Sequence, residues 1–289
     1  MFATSQLTFS QNNIQNRISS ILESNKVGLP NGWTLTPVGK QIELGDLPLN
    51  LVISHHKKLA AVSNNGQSTQ TIDLIDLASQ RKIDSIAIPK SWYGLAFSSD
   101  DNTLYTSGGH DNMIRIYKIN GGKIASKDSI VLGKPWPNKI GIAGLAVDDK
   151  NKQQLYTVTR EDKKLYVIDL KTKATKATYD LGAEGYTCQL TPDAKQLYIS
   201  VWGGEKILVW DVTQNKITKE IPVGSHPNEI TFSKNGKWLF VANANDNSVS
   251  IIDTKTGAVV ETLNAALYPN APSGSTSNGV ALSTDGKTL

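Results

Sequence analysis

Few residues in this chain have the types and spacing of catalytic or metal-binding machinery. The four histidines, His55, His56, His110 and His226, occur without HxH or HExxH spacing, and neither GxSxG nor GxxxxGK is present. The single cysteine, Cys188, cannot form an intrachain disulfide, and its setting in YTCQL reads as a small buried hydrophobe. What remains is oxygen chemistry and aromatic surface. Glu229 with Asn50, Asn228 and Asn278 offers a carboxylate and amide oxygens of the kind a hard cation such as Ca²⁺ takes. Trp92, Tyr93, Trp136, Tyr186 and Trp202 offer flat area with polar edges, which suits glycans and protein partners. These residues are far apart in the chain, so they form a site only if a repeated scaffold gathers them.

Such a repeat exists. An apolar doublet followed by Asp and a polar turn recurs as LIDLASQ, VIDLKTK, VWDVTQN and IIDTKTG, with Asp76, Asp169, Asp211 and Asp253 in register. IYKINGG places Lys118 at the same point. A second marker keeps step with it: Leu59, Leu104, Leu155, Leu197, Leu239 and finally Leu289 lead strand-like stretches. The period is roughly 42 to 51 residues. Each unit holds short alternating segments parted by Gly, Asp, Asn and Pro; the best-resolved unit reads YTCQL, QLYISV, KILVWD and KITKEIPV. Antiparallel strands at this period predict an all-β propeller of four-stranded blades, each burying its faces against the next.

Five complete blades are expected between Pro48 and Leu263. Residues 1–32 form a polar, Gln/Asn/Ser-rich leader in which Ile14, Ile18, Ile21 and Leu22 could line a short helix, and residues 33–289 form the propeller. Thr34–Leu44 is expected as an orphan outer strand, and SNGVALS near the C-terminus as an orphan inner strand of a further blade. With two partial ends, the chain reads as a C-terminally truncated fragment of a ring of seven blades, its ring-completing blades missing. The Trp210–Asp211 pair occurs without a Gly-His partner, so it is not read as a WD repeat.

Aligning the units on their first strands produces two columns at one end of the scaffold. The first holds Leu49, Tyr93, Ala143, Tyr186, Asn228 and Asn278; the second holds Asn50, Gly94, Gly144, Thr187, Glu229 and Gly279. Loops between second and third strands add His110, Arg160, Glu161, Trp202 and Asn245 on the same side, while Trp92, Trp136 and His226 lie in connecting loops there. Each large aromatic has two readings, a wedge between blades or a contact surface. A ligand or partner face at Trp92, Tyr93, Trp136, Tyr186, Trp202, His226 and Asn228 is one expectation. A cation site at Glu229, Asn50 and Asn278 is another. His55 and His56 fall in a turn at the opposite end. Thirty Lys and Arg against twenty-six Asp and Glu, scattered along the chain, give no basic stripe for nucleic acid. No run is long and apolar enough for a transmembrane helix.

VGSHPNEITFSKNGKWLFVANANDNSVSIIDTKTGAVVETL resembles the repeat of the YVTN-type, YncE-like β-propeller family, and the likeness extends over Trp33–Leu289. GWTLTPVGKQIELGDLPLNL, NNGQSTQTIDLIDL and PKSWYGLAFSSDDNTLY are similar to the propeller half of bacterial proteins whose second half is a phosphoesterase of the alkaline-phosphatase superfamily. That resemblance implies a periplasmic or cell-surface binding or scaffold module, with any phosphoesterase activity residing in a downstream domain and no catalytic residue in this segment. It also leaves two alternatives. One is a self-contained lactonase-like hydrolase, since propeller lactonases use a similar acid-plus-asparagine set. The other is a freestanding surface protein that binds glycan or protein.

Overall fold

The computed structural model describes residues 20, 23–24, 26–37, 39–135, 137–266, 268, 271–273 and 277–289. Trp136 and the helix expected around Ile14, Ile18, Ile21 and Leu22 lie outside the described residues. Two compact units divide between Glu43 and Leu44. In the first, β1 (Val27–Gly28) pairs antiparallel with β2 (Thr34–Leu35). This differs from the expected orphan blade strand over Thr34–Leu44. Thr34 and Leu35 find their ladder partners in Gly28 and Val27, and Gln41–Leu44 carries no strand. Alternation marks a strand only where a neighbour supplies the backbone bonds.

The second unit contains five four-stranded antiparallel sheets in chain order. Blade I comprises β3 (Pro48–Ile53), β4 (Leu59–Asn64), β5 (Thr71–Asp76) and β6 (Arg81–Ala87). Blade II comprises β7 (Leu95–Phe97), β8 (Thr103–Ser107), β9 (Met113–Asn120) and β10 (Lys123–Val131). Blade III comprises β11 (Ile142–Asp148), β12 (Gln154–Thr159), β13 (Lys164–Asp169) and β14 (Thr175–Asp180). Blade IV comprises β15 (Gly185–Leu190), β16 (Gln196–Val201), β17 (Lys206–Asp211) and β18 (Lys216–Pro222). Blade V comprises β19 (Pro227–Phe232), β20 (Trp238–Asn243), β21 (Ser248–Asp253) and β22 (Ala258–Asn264). First strands touch first strands from blade to blade, so β3, β7, β11, β15 and β19 are the inner strands.

The core follows from that stacking. It is divided into four apolar clusters, one at each blade–blade interface. Ala61, Ile72 and Leu74 of blade I pack with Leu95, Phe97 and Leu104 of blade II. Tyr105 and Ile114 meet Ile142, Leu155 and Tyr166 across blades II and III. Val158 and Leu165 meet Leu197, Leu208 and Trp210 across III and IV, and Tyr198 and Val209 meet Ile230, Leu239 and Val241 across IV and V. A second strand is therefore covered on both faces, as in β12, where every residue is buried. No helix among the described residues is long and apolar enough to cross a membrane.

Both sequence markers have a local cause. The repeated aspartate closes the turn between third and fourth strands: Asp169 Oδ1 accepts from the N–H groups of Lys171 and Thr172, at 2.9 and 2.8 Å. Asp211 takes Thr213 and Gln214 at 2.8 and 2.6 Å, and Asp253 takes Lys255 and Thr256 at 2.9 Å each. Where Lys118 replaces the aspartate, Gly121 and Gly122 make the turn at φ +57° and +76°. The turn between first and second strands is closed by Ser54, Ser98, Thr191 and Ser233, whose N–H groups donate to the carbonyls of Leu59, Thr103, Gln196 and Trp238. Ser283 and Thr288 repeat this bond at 2.8 Å. The terminal segment thus forms the expected turn. Ser277–Ser283, expected as an inner strand, carries no ladder, since no described strand pairs with it, although Val280 is buried.

The turn aspartates also set an acid limit. The Ser79 hydroxyl beside Asp76, and the backbone N–H of Thr172 beside Asp169 and of Thr256 beside Asp253, hold these carboxyls below the ordinary 3.8. The unfolded chain then binds protons at a higher pH than the folded one, so folded stability falls as pH drops through 3.8 toward the folded values. Changing all three to Asn keeps an acceptor in each turn and removes the titrating charge. Urea unfolding between pH 5 and 2 is expected to show a shallower pH slope for that triple variant, by at most about one proton per carboxyl. An unchanged slope would dissociate these turns from acid unfolding.

Candidate ligand site on the mouth face

Residues of the two aligned columns reach one end of the scaffold because the inner strands bulge there. Register breaks fall between Pro48 and Asn50, Ile142 and Leu145, Gly185 and Thr187, and Pro227 and Ile230. A bulge re-aims its side chains and ends regular pairing. Leu49, Ala143, Gly144, Tyr186, Asn228 and Glu229 sit within these breaks. In blade II, Tyr93 and Gly94 precede the short β7, and Gly94 O accepts from Ser107 N–H at 2.8 Å.

Two groups result. The inner one surrounds the channel between the inner strands, a cavity of about 350 Å³ that Asn50, Tyr93, Thr187, Cys188 and Glu229 help to line. Asn50 Nδ2 donates to Tyr93 O at 2.7 Å, tying blade I to blade II. The Tyr93 and Tyr186 rings meet at 4.7 Å with a 50° tilt, joining blades II and IV across blade III. Glu229 accepts from the Tyr93 hydroxyl and, at 3.2 Å, from Val280 N–H. Burial pushes the Glu229 carboxyl up, against those two bonds. Burial, followed by the Glu229 charge, pushes Tyr186 up to about 12 and Tyr93 well above 10. Asn228 Nδ2 donates to Asn278 Oδ1 at 2.7 Å. Thus Glu229 and Asn278, two of the oxygens expected to serve a cation, already accept protein donors. Among the described residues no three His, Cys, Asp or Glu side chains gather as a metal-binding group.

The outer group runs along the rim through four consecutive blades. Trp92 leads into blade II, Arg160 follows β12, Trp202 follows β16, and His226 precedes β19. The Arg160 guanidinium carbon lies 5.4 Å from the Trp92 ring centroid and 5.4 Å from that of Trp202. His226 abuts Trp202 edge-on, at 4.3 Å and 81°. Its own backbone is left-handed, at φ +55°, and its Nδ1 lies 2.8 Å from Ser225 Oγ and 2.9 Å from Asn245 Nδ2. A cavity of about 270 Å³ opens beside Trp92, lined by Lys90, His110, Arg160 and Glu161.

The structure therefore separates what the sequence grouped. Tyr93, Tyr186, Asn50, Asn228, Glu229 and Asn278 belong to the channel mouth; Trp92, Trp202 and His226 belong to the rim. His55 and His56, at the opposite end, are anchored to the next blade: Asp101 accepts from both backbone N–H groups, at 2.7 and 2.8 Å. Arg160 was legible only as one member of the loop column that also holds His110 and Trp202.

A model of the YNCE-like β-propeller family matches residues 3–289. The protein YncE of Salmonella typhimurium is 31% identical over 195 residues, covering 65% of this chain and 50% of that protein. Antigen Lp49 of Leptospira interrogans is 23% identical over 209 residues, covering 63% of this chain and 43% of the antigen. A 6-phosphogluconolactonase of Enterobacter is 24% identical over 119 residues, covering 39% of this chain and 36% of the enzyme. The chain spans about half the length of the YncE it matches, and less of the other two. With its five four-stranded blades and a family match over nearly its whole length, the chain belongs to the YNCE-like β-propeller family.

Proposed function

We propose that this propeller is a binding module without catalytic machinery of its own, and that it receives a small molecule or glycan on its mouth face. The observation that carries this reading is the rim itself. Two half-buried indoles, from the loops of blades II and IV, each lie 5.4 Å from one guanidinium, and Trp92 and that guanidinium line an open cavity. Below them the Tyr93–Tyr186 pair and the Asn50, Asn228 and Glu229 bonds fix the channel mouth, so the rim loops stand on a rigid base. Loops on a rigid scaffold, with aromatic area and a few fixed polar groups, are the usual make-up of a recognition surface.

Trp202 tests the reading most cleanly because it lies outside the four apolar clusters. On a glycan array, Trp202→Ala should weaken the strongest signals by about tenfold or more, since losing one stacking aromatic removes on the order of 1.4 kcal/mol. Its thermal midpoint should stay near wild type. Signals that persist unchanged in this variant would remove the rim from the binding surface.

A further inference from the structure

We propose that Arg160 is the anchor for an oxyanion, a carboxylate or phosphate monoester on a small ligand bound in the rim cavity. This rests on the reading of the mouth face as a binding surface and specifies the ligand's chemistry.

Among the described residues the Arg160 guanidinium takes part in no ion pair, although Glu161 lines the same cavity and Glu184 feels its charge, and the acids of these rim loops have other partners. Glu161 lies 3.6 Å from His110 Nε2, and Glu184 lies 3.3 Å from Lys163 Nζ. Asp111 serves Lys90 and Arg115 at 3.2 and 3.0 Å. Asp162 accepts from the hydroxyls of Thr159 and Tyr166. Glu184 is held below its ordinary range by its own backbone N–H and by Lys163, against a burial penalty; the Arg160 charge is the last contributor.

What holds Arg160 is aromatic. Contact with two indole faces stabilises the positive charge without using its N–H groups as hydrogen-bond donors. The backbone is fixed as well, with Arg160 N–H donating to Gly141 O at 2.9 Å. A clamped guanidinium whose planar fork has no acceptor among the described residues suits bidentate recognition of a carboxylate or phosphate. Trp92, which lines the same cavity, adds aromatic area for an adjoining sugar or other flat body. The cavity, about 270 Å³, is of a size for one small acid.

The test is calorimetric titration of D-glucuronate, D-glucose 6-phosphate and neutral D-glucose into wild type, Arg160→Met and Arg160→Lys. At least one of the two anions should bind wild type about tenfold or more tighter than glucose, a difference of about 1.4 kcal/mol. Arg160→Met should abolish that preference with an unchanged thermal midpoint. Arg160→Lys should restore only part of it, because an ammonium has charge but no planar fork. Which anion binds more tightly separates the carboxylate source from the phosphate. Equal affinity for glucose and both anions, no anion binding, or anion affinity retained in Arg160→Met would each overturn the proposal. Neutral-ligand binding that survives Arg160→Met but is lost in Trp202→Ala would overturn the oxyanion anchor while leaving the mouth-face reading in place.

Discussion

Trp210→Ala is expected to lower the unfolding free energy by about 3–5 kcal/mol, the range for deleting a large aromatic from a packed core. Trp210 is 1% exposed on β17, opposite Leu197 in the ladder. It lies in the cluster that joins blade III to blade IV, and its ring meets Tyr179 at 4.1 Å and 53°. Removing it opens a void at an interface made of two sheets that each need the other's cover. Because each interface has its own cluster, the loss cannot be made up by rearrangement elsewhere. Trp210→Phe refills part of the volume and should cost less than the alanine change. Urea unfolding followed by circular dichroism measures both. A loss below about 1 kcal/mol for alanine would mean that blades III and IV do not depend on this contact.

The second large effect is expected at a residue with no side chain. A Cβ on Gly144 would lie 2.4 Å from Thr187 Cα, 2.9 Å from Tyr186 O and 3.0 Å from Cys188 N. All three are backbone atoms of the neighbouring inner strand, so no rotamer change relieves the clash. Gly144→Ala must push blades III and IV apart, and should cost about 3 kcal/mol or more. It should also disturb the mouth, because Tyr186 belongs to the displaced strand and carries the ring that meets Tyr93. Gly28→Ala is the control: nothing lies within 4 Å of its Cβ position. Thermal unfolding of the two variants compares them directly. Equal midpoints for Gly144→Ala and wild type would show that the inner strands are not packed this closely.

The repeat was legible in the sequence because its causes are local. An aspartate that accepts two N–H groups two and three residues on, as Asp169, Asp211 and Asp253 do, leaves a mark that survives in any alignment of units. The mouth columns were legible for a related reason: the repeat length fixes where each inner strand starts, and the bulges occur there. The division of the mouth into channel and rim was not legible. It depends on distances among blades II, III, IV and V, and no spacing in the chain encodes the 5.4 Å between Arg160 and each of two tryptophans. At Thr34–Leu35 the strand itself was legible but not its length or its pairing, because its partner, Val27–Gly28, was too short to announce itself. Trp210 illustrates the same limit: the Trp-Asp pair looks like a motif in the sequence, and in the fold its tryptophan is core and its aspartate a turn.

The mouth rim built around Trp92, Arg160 and Trp202 is the ligand-binding surface proposed above. Its most direct test is the indole N–H spectrum of ¹⁵N-tryptophan-labelled protein, with the six tryptophan signals assigned by substitution. Titration with D-glucuronate, D-glucose 6-phosphate and an uncharged oligosaccharide should produce saturable shifts of the Trp92 and Trp202 signals with at least one of them. Trp210, in the core, and Trp238, on blade V, should stay in place. Trp92 and Trp202 signals that remain unmoved by all three ligands would remove the rim as the binding surface.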